Sequence, residues 1–261
     1  RALMTRPMTL QDSPPLFHQA SHGRRLAFQR LPNQGFAGPD LMFLCGFRSR
    51  FQGEKAQALW QHCLEKKRGL LLFDYSGHGQ SEGNFVETGL QCWLEDALEM
   101  LDAHTEGPQV LAGSSMGGWL ALHLALRRAE RVAAMVGIAA APDFTRRLLR
   151  PLFNDRQREE LETTGATHVP DCDPALPPWP ITRRLLEDGD ALALLDQALP
   201  LSIPIRLIHG MNDHDVPWQT ALDLARTIEG EDVQVHLVKD GGHRLSRTQD
   251  LQLLRTVVDT L

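Results

Sequence analysis

Val110-Leu111-Ala112-Gly113-Ser114-Ser115-Met116-Gly117-Gly118-Trp119-Leu120-Ala121-Leu122-His123-Leu124-Ala125-Leu126 is the stretch that decides the fold. Its first three residues form an apolar strand-like run, and the residues from Gly117 onward carry the pattern of a helix that packs on a core. Between them lies G-x-S-x-G. A strand, a sharp turn and a helix with a serine at the apex make a nucleophile elbow. The turn forces the serine backbone into a strained conformation and leaves no room for side chains on the outer residues, which explains Gly113 and Gly117. Ser115 is then exposed at a helix N-terminus, where backbone N–H groups point at any negative charge that develops. The alternative is a glycine-rich turn in which Ser115 is a plain helix cap.

Strand-like and helix-like segments alternate on both sides of this element. Before it come a hairpin (Leu16 to Ala20 and Arg25 to Leu31, turning at His22-Gly23), a strand Leu41 to Cys45, a helix from about Lys55 to Lys67, a strand Gly69 to Phe73 and a helix from about Leu90 to Ala103. After it come Val132 to Ala139, then Ile205 to His209, a helix from about Gln219 to Ile228, a strand Val233 to Val238 and a last helix from about Thr248 to Thr260. Such alternation predicts the α/β class: a mostly parallel twisted sheet with helices on both faces. The rhythm breaks between Pro142 and Pro200, where Arg and Pro are dense and helical patterns (Asp155 to Glu162, Thr182 to Glu187) follow one another without strands between them. This segment is expected to be a small helical lid inserted before the acid-bearing strand of one domain spanning 1–261.

A serine hydroxyl needs a base within hydrogen-bond reach and a third group that orients that base. In open α/β sheets these groups sit at the carboxyl ends of strands. Gly210-Met211-Asn212-Asp213-His214-Asp215 follows Ile205 to His209, so Asp213 is the expected acid and Asp215 its reserve. His243 follows the strand Val233 to Val238 through Gly241-Gly242, which lets the loop fold back toward Ser115. His209 is expected to order the turn. The Met116 N–H is one expected oxyanion donor, and the Phe47 N–H, after the strand Leu41 to Cys45, is the other.

The chain has 261 residues, 42% apolar, with a net charge of −6. That suffices for a large core, and no basic stripe suited to nucleic acid appears. Cys45, Cys63, Cys92 and Cys172 show neither metal-ligand nor disulfide-framework spacing, which suits a reducing compartment. The longest apolar run, Val132 to Ala141, is too short for a bilayer. No targeting segment or membrane anchor is expected, and Arg1-Ala2-Leu3 ahead of Met4 predicts a natural start at Met4.

With these residues placed, the chain resembles the α/β-hydrolase superfamily in the serine, acid, histidine order and in Asp74-Tyr75-Ser76-Gly77-His78-Gly79-Gln80-Ser81, which is similar to the D-x-x-G-x-G-x-S segment of serine esterases. More narrowly, Gly113 to Trp119, Ile205 to Asp213 and Val216-Pro217-Trp218 are similar to the short-lid palmitoyl-protein thioesterase and acyl-glucuronide esterase family and its bacterial relatives. The resemblance implies hydrolysis of esters or thioesters, on a small-molecule ester or an S-acylated substrate, with no metal or organic cofactor. A recognisable mitochondrial presequence is lacking, and a cytoplasmic, bacterial-type protein is expected. Candidate substrate contacts are Arg48, Ser114 and Trp179. Arg50, Arg146, Arg147, Arg150, Arg183 and Arg184 either bind an anionic leaving group or form solvated faces. Trp179, within Pro177-Pro178-Trp179-Pro180, is either a rim anchor or part of the lid's own core. Carbon–carbon bond hydrolysis or perhydrolysis could use the same parts, and a ligand-binding pseudo-hydrolase is the reading outside enzymes.

Overall fold

A computed structural model describes residues 9–171 and 173–261 of the chain. The expected start at Met4 and the thiol of Cys172 lie outside the described residues.

The central sheet contains β1 (Leu16–Gln19), β2 (Arg25–Leu31), β3 (Asp40–Leu44), β4 (Leu70–Phe73), β5 (Gln109–Ser114), β6 (Val132–Ile138), β9 (Ile205–Gly210) and β10 (Val233–Val238). Their spatial order is β1-β2-β4-β3-β5-β6-β9-β10. β1 and β2 form the antiparallel hairpin at one edge, β2 is antiparallel to β4, and every remaining pair is parallel. The sequence explains this division. Leu70–Phe73 and Ile205–Gly210 are buried at every position because helices cover both faces of a parallel sheet. The helices α1 (Glu54–Lys66), α2 (Leu90–His104), α3 (Met116–Arg127) and α7 (Gln219–Thr227) cross between strands, and α8 (Thr248–Val258) follows β10. α1 packs on α8 and α2 on α3, as expected of helices on both faces.

The segment between β6 and β9 departs from the expected purely helical pattern. It holds a single turn α4 (Arg150–Leu152), α5 (Asp155–Thr163), an antiparallel pair β7 (Ala166–Val169) and β8 (Trp179–Thr182), and α6 (Arg183–Ala191). The hairpin is illegible in sequence because both strands are four residues long and β8 contains Pro180, which cannot donate to a ladder. Tertiary packing supplies what periodicity does not, since Thr167 and Ile181, paired in register, are both almost fully buried. The segment is closed at its base. Asp143 accepts hydrogen bonds from the amides of Leu194 and Leu195, each at 2.8 Å. Trp119 Nε1 and His123 Nε2 on α3 lie 3.0 and 2.9 Å from the Leu192 carbonyl.

Candidate active site

Ser115 stands between β5 and α3 with φ 53° and ψ −117°, a conformation that a side chain rarely adopts and that the surroundings must impose. Its amide donates to Ile138 O at 2.9 Å, and its carbonyl accepts from Gly118 and Ala141 at 2.9 and 3.0 Å. The flanking glycines are required by space. A Cβ on Gly113 would sit 2.4 Å from Gly117 O, and one on Gly117 would sit 2.1 Å from Leu44 O. The turn is thus pressed against the end of β3 as well as against itself. Met116 opens α3 with no side-chain cap, so its N–H is one of the orphan donors of a helix start.

Asp213 follows β9 and is 9% exposed. Its Oδ2 lies 2.8 Å from His243 Nδ1, while its Oδ1 accepts from the amides of Asp215 and Val216 at 2.9 and 2.8 Å. Burial pushes the Asp213 carboxyl upward, but hydrogen bonds from His209 and His243 outweigh it and hold the group well below the usual carboxylate range. An ionised carboxylate only accepts, so Nδ1 of His243 carries a proton, and in the neutral imidazole Nε2 is then the nitrogen with the free lone pair. His209 is buried with Nε2 3.0 Å from Val216 O and 3.3 Å from Asp213 Oδ2. Both neighbours are acceptors, so His209 donates and orders the acid turn, as its strand-end position predicts. The reserve acid, Asp215, is exposed and contributes its amide to Asp213.

Phe47 lies in the loop after β3. No hydrogen bond from its amide, or from that of Met116, to a protein acceptor is seen among the described residues. The loop is held by the segment after β4. Tyr75 Oη donates to Cys45 O at 2.9 Å, the Arg48 amide donates to His78 Nε2 at 3.2 Å, and the Phe51 amide donates to Asp74 Oδ1 at 2.7 Å. His78 Nδ1 is 3.1 Å from Ser76 O, which fixes the neutral tautomer with its proton on Nδ1. Burial lowers the His78 pKa to about 4 and raises that of Asp74 to about 6. Sequence reasoning singled out this D-x-x-G-x-G-x-S segment as a resemblance without giving these residues a role. The signal was the motif itself, whose side chains brace a loop thirty positions away in sequence.

The Phe47 ring meets Phe85, Trp93, Phe144 and Trp179 at centroid distances of 5.2, 6.0, 5.6 and 5.4 Å. Trp179 therefore reaches from the inserted segment to this loop, and its indole N–H bonds Asp171. Arg48 lies over the Trp179 ring, 6.0 Å from the centroid. Ser114 lines a cavity whose wall also includes Gly46. Of the inserted arginines, Arg146, Arg147 and Arg150 pair with Asp196, Asp223 and Asp190. Arg183 and Arg184 bond backbone carbonyls of Leu161, Glu162 and Glu87. All five thus make contacts within the chain, on the partly exposed faces that one of the two readings expects.

Residues 53–250 match the model of the family described as serine aminopeptidase, S33. The chain belongs to this α/β-hydrolase family. It is a hydrolase of that fold, and its resemblances are specific. The mouse palmitoyl-protein thioesterase ABHD10, mitochondrial, is 38% identical over 236 residues, covering 90% of this chain and 78% of the relative. The solved structure of mouse alpha/beta hydrolase domain-containing protein 10 superposes with a TM-score of 0.87 at 35% identity, covering 95% of this hydrolase and 98% of the other chain. A solved protein from Agrobacterium vitis S4 gives a TM-score of 0.88 at 38% identity, covering 95% and 99%. The mitochondrial naming of the mammalian relatives corrects the expectation of a cytoplasmic protein, because it points to the mitochondrion instead.

Proposed function

We propose that this hydrolase cleaves esters or thioesters of acyl substrates through a covalent acyl-enzyme on Ser115. His243 Nε2 takes the Ser115 proton as the hydroxyl attacks the carbonyl, Asp213 holds the imidazole and stabilises the imidazolium, and the Met116 and Phe47 amides receive the oxyanion. His243 then protonates the leaving thiol or alcohol and activates the water that releases the acid. The observation that carries this reading is the 2.8 Å contact from His243 Nδ1 to a buried, fully hydrogen-bonded Asp213. It belongs with a serine whose φ of 53° only an enforced elbow would sustain. The relatives named palmitoyl-protein thioesterase support a thioester, and the aromatic group around Phe47 and Trp179 supports an apolar acyl chain under an inserted lid of about 142–200 in a single domain. The small-molecule ester or S-acylated protein is the substrate class, with neither nucleic acid nor a cofactor taking part.

The experiment is turnover of p-nitrophenyl esters and matched acyl thioesters of increasing chain length, beside Ser115→Ala. The expected result is hydrolysis by the wild type with a preferred acyl length and loss of nearly all turnover in the variant. Unchanged activity in Ser115→Ala would sink the assignment.

A further inference from the structure

A cavity of about 400 Å³ opens between the loop after β3, the start of α1 and the residues that follow His243. Its wall includes Gly46 and Ser114, and a Cβ on Gly46 would lie 3.5 Å from the Ser115 Cβ. One residue of its wall, Gly46, therefore adjoins the proposed nucleophile, and Ser114 precedes it in the chain. None of the rings gathered around Phe47 lines the cavity, so the cavity and the aromatic group are separate surroundings of different chemistry.

The lining is cationic. Arg50, Lys55 and Arg244 face a single lining carboxylate, Glu54. In a chain of net charge −6, most surface arginines are spent on carboxylates, as in Arg25 with Glu82, Arg128 with Asp102 and Arg247 with Asp240. Arg50 and Arg244 have no ion pair among the described residues. Lys55 Nζ donates to Arg244 O and lies 3.4 Å from Ser246 Oγ, which ties the loop after His243 to α1 and places the ammonium in the wall. The same wall contains Gly53, Glu54, Lys55 and Ala56, the first turn of a thirteen-residue helix whose amides receive no side-chain cap. Uncapped helix amides beside guanidinium and ammonium groups are the chemistry that binds an oxyanion with several acceptor atoms.

We infer that this cavity is a subsite for an oxyanion, phosphate in the first place, carried on the leaving group of the acyl substrate, with Arg50, Lys55 and Arg244 as its ligands. The inference rests on the proposed serine mechanism for its orientation. It assigns the leaving group a charge, whereas the aromatic side receives the acyl chain.

The test compares two pairs of butyrate esters that differ only in charge: butyryl-glycerol phosphate against butyryl-glycerol, and butyryloxypropanoate against its amide. The readout is the ratio of kcat/KM within each pair for the wild type and for the double variant Arg50→Gln/Arg244→Gln, so that any general loss in the variant cancels. The expected result is a phosphate ratio of about 10 or more that falls toward one in the variant and also falls with added salt. A preference for the carboxylate pair alone, equally lost in the variant, would keep the oxyanion subsite and replace phosphate with carboxylate. Ratios near one in the wild type, or ratios that the variant leaves unchanged, would overturn the proposal. If the wild type turned over none of these esters, the serine reading would fail separately. Calorimetric binding of glycerol phosphate would then decide the subsite, which stands if binding is lost in the double variant and falls if the wild type does not bind.

Discussion

The Arg48 amide donates to Nε2 of His78 across 3.2 Å, joining the loop after β3 to the loop after β4. His78 serves as an acceptor there because burial keeps its imidazole neutral, with a pKa lowered to about 4 from 6.5. The sign of the linkage follows. As pH falls through 6.5 the unfolded chain binds a proton that the folded chain refuses until about 4, so stability from this group is lost across that window. His78→Gln retains an acceptor and cannot titrate. The difference in unfolding free energy between wild type and His78→Gln should shrink by up to about 3 kcal/mol between pH 7 and pH 4. Denaturant unfolding across that range measures it, and a constant difference would count against a buried neutral imidazole.

Asp213→Asn should leave the fold in place and lower kcat by about 10³ to 10⁴. The amide can donate where the carboxylate accepts, which turns His243 toward the wrong tautomer. Asp215→Asn should change kcat by less than about 3-fold, since that exposed carboxylate comes within 4.8 Å of Asp213 and His243 but only its amide hydrogen-bonds Asp213. Comparable losses in both variants would argue against Asp213 as the orienting acid.

Gly117→Ala places a methyl 2.1 Å from Leu44 O, which is backbone and cannot swing away. A loss of at least about 3 kcal/mol is expected, at the upper end for overpacking. Gly242→Ala meets nothing within 4 Å and should be near neutral. Thermal unfolding of the two variants separates the sterically required glycine from the permissive one.

Trp179→Ala removes the ring that reaches Phe47 at 5.4 Å. An aromatic pair of this kind contributes about 0.5–1.5 kcal/mol beyond its buried area. KM for long acyl chains should therefore rise by roughly 2- to 10-fold, with acetyl esters little affected. A uniform change across all chain lengths would assign Trp179 to the packing of the inserted segment alone.

What the sequence determined by itself was set by short-range rules. The period of apolar residues separated strands from helices, and continuous apolar runs such as Leu70–Phe73 marked strands buried on both faces. The glycines around Ser115 announced a turn that no other residue fits, and the order of serine, aspartate and histidine followed from which strand ends carry them. What only the tertiary structure decided depended on groups far apart in the chain. The sequence ranked Asp213 ahead of Asp215, and only the fold shows two amides and two imidazoles converging on the Asp213 carboxylate. The role of His78 required the loop after β3 to lie beside it. The inserted arginines found aspartates 40 to 76 positions away, or backbone carbonyls, whereas Arg50 and Arg244 form no ion pair among the described residues and share a cavity. Charge and burial are properties of a neighbourhood, and a neighbourhood exists only after the chain has folded.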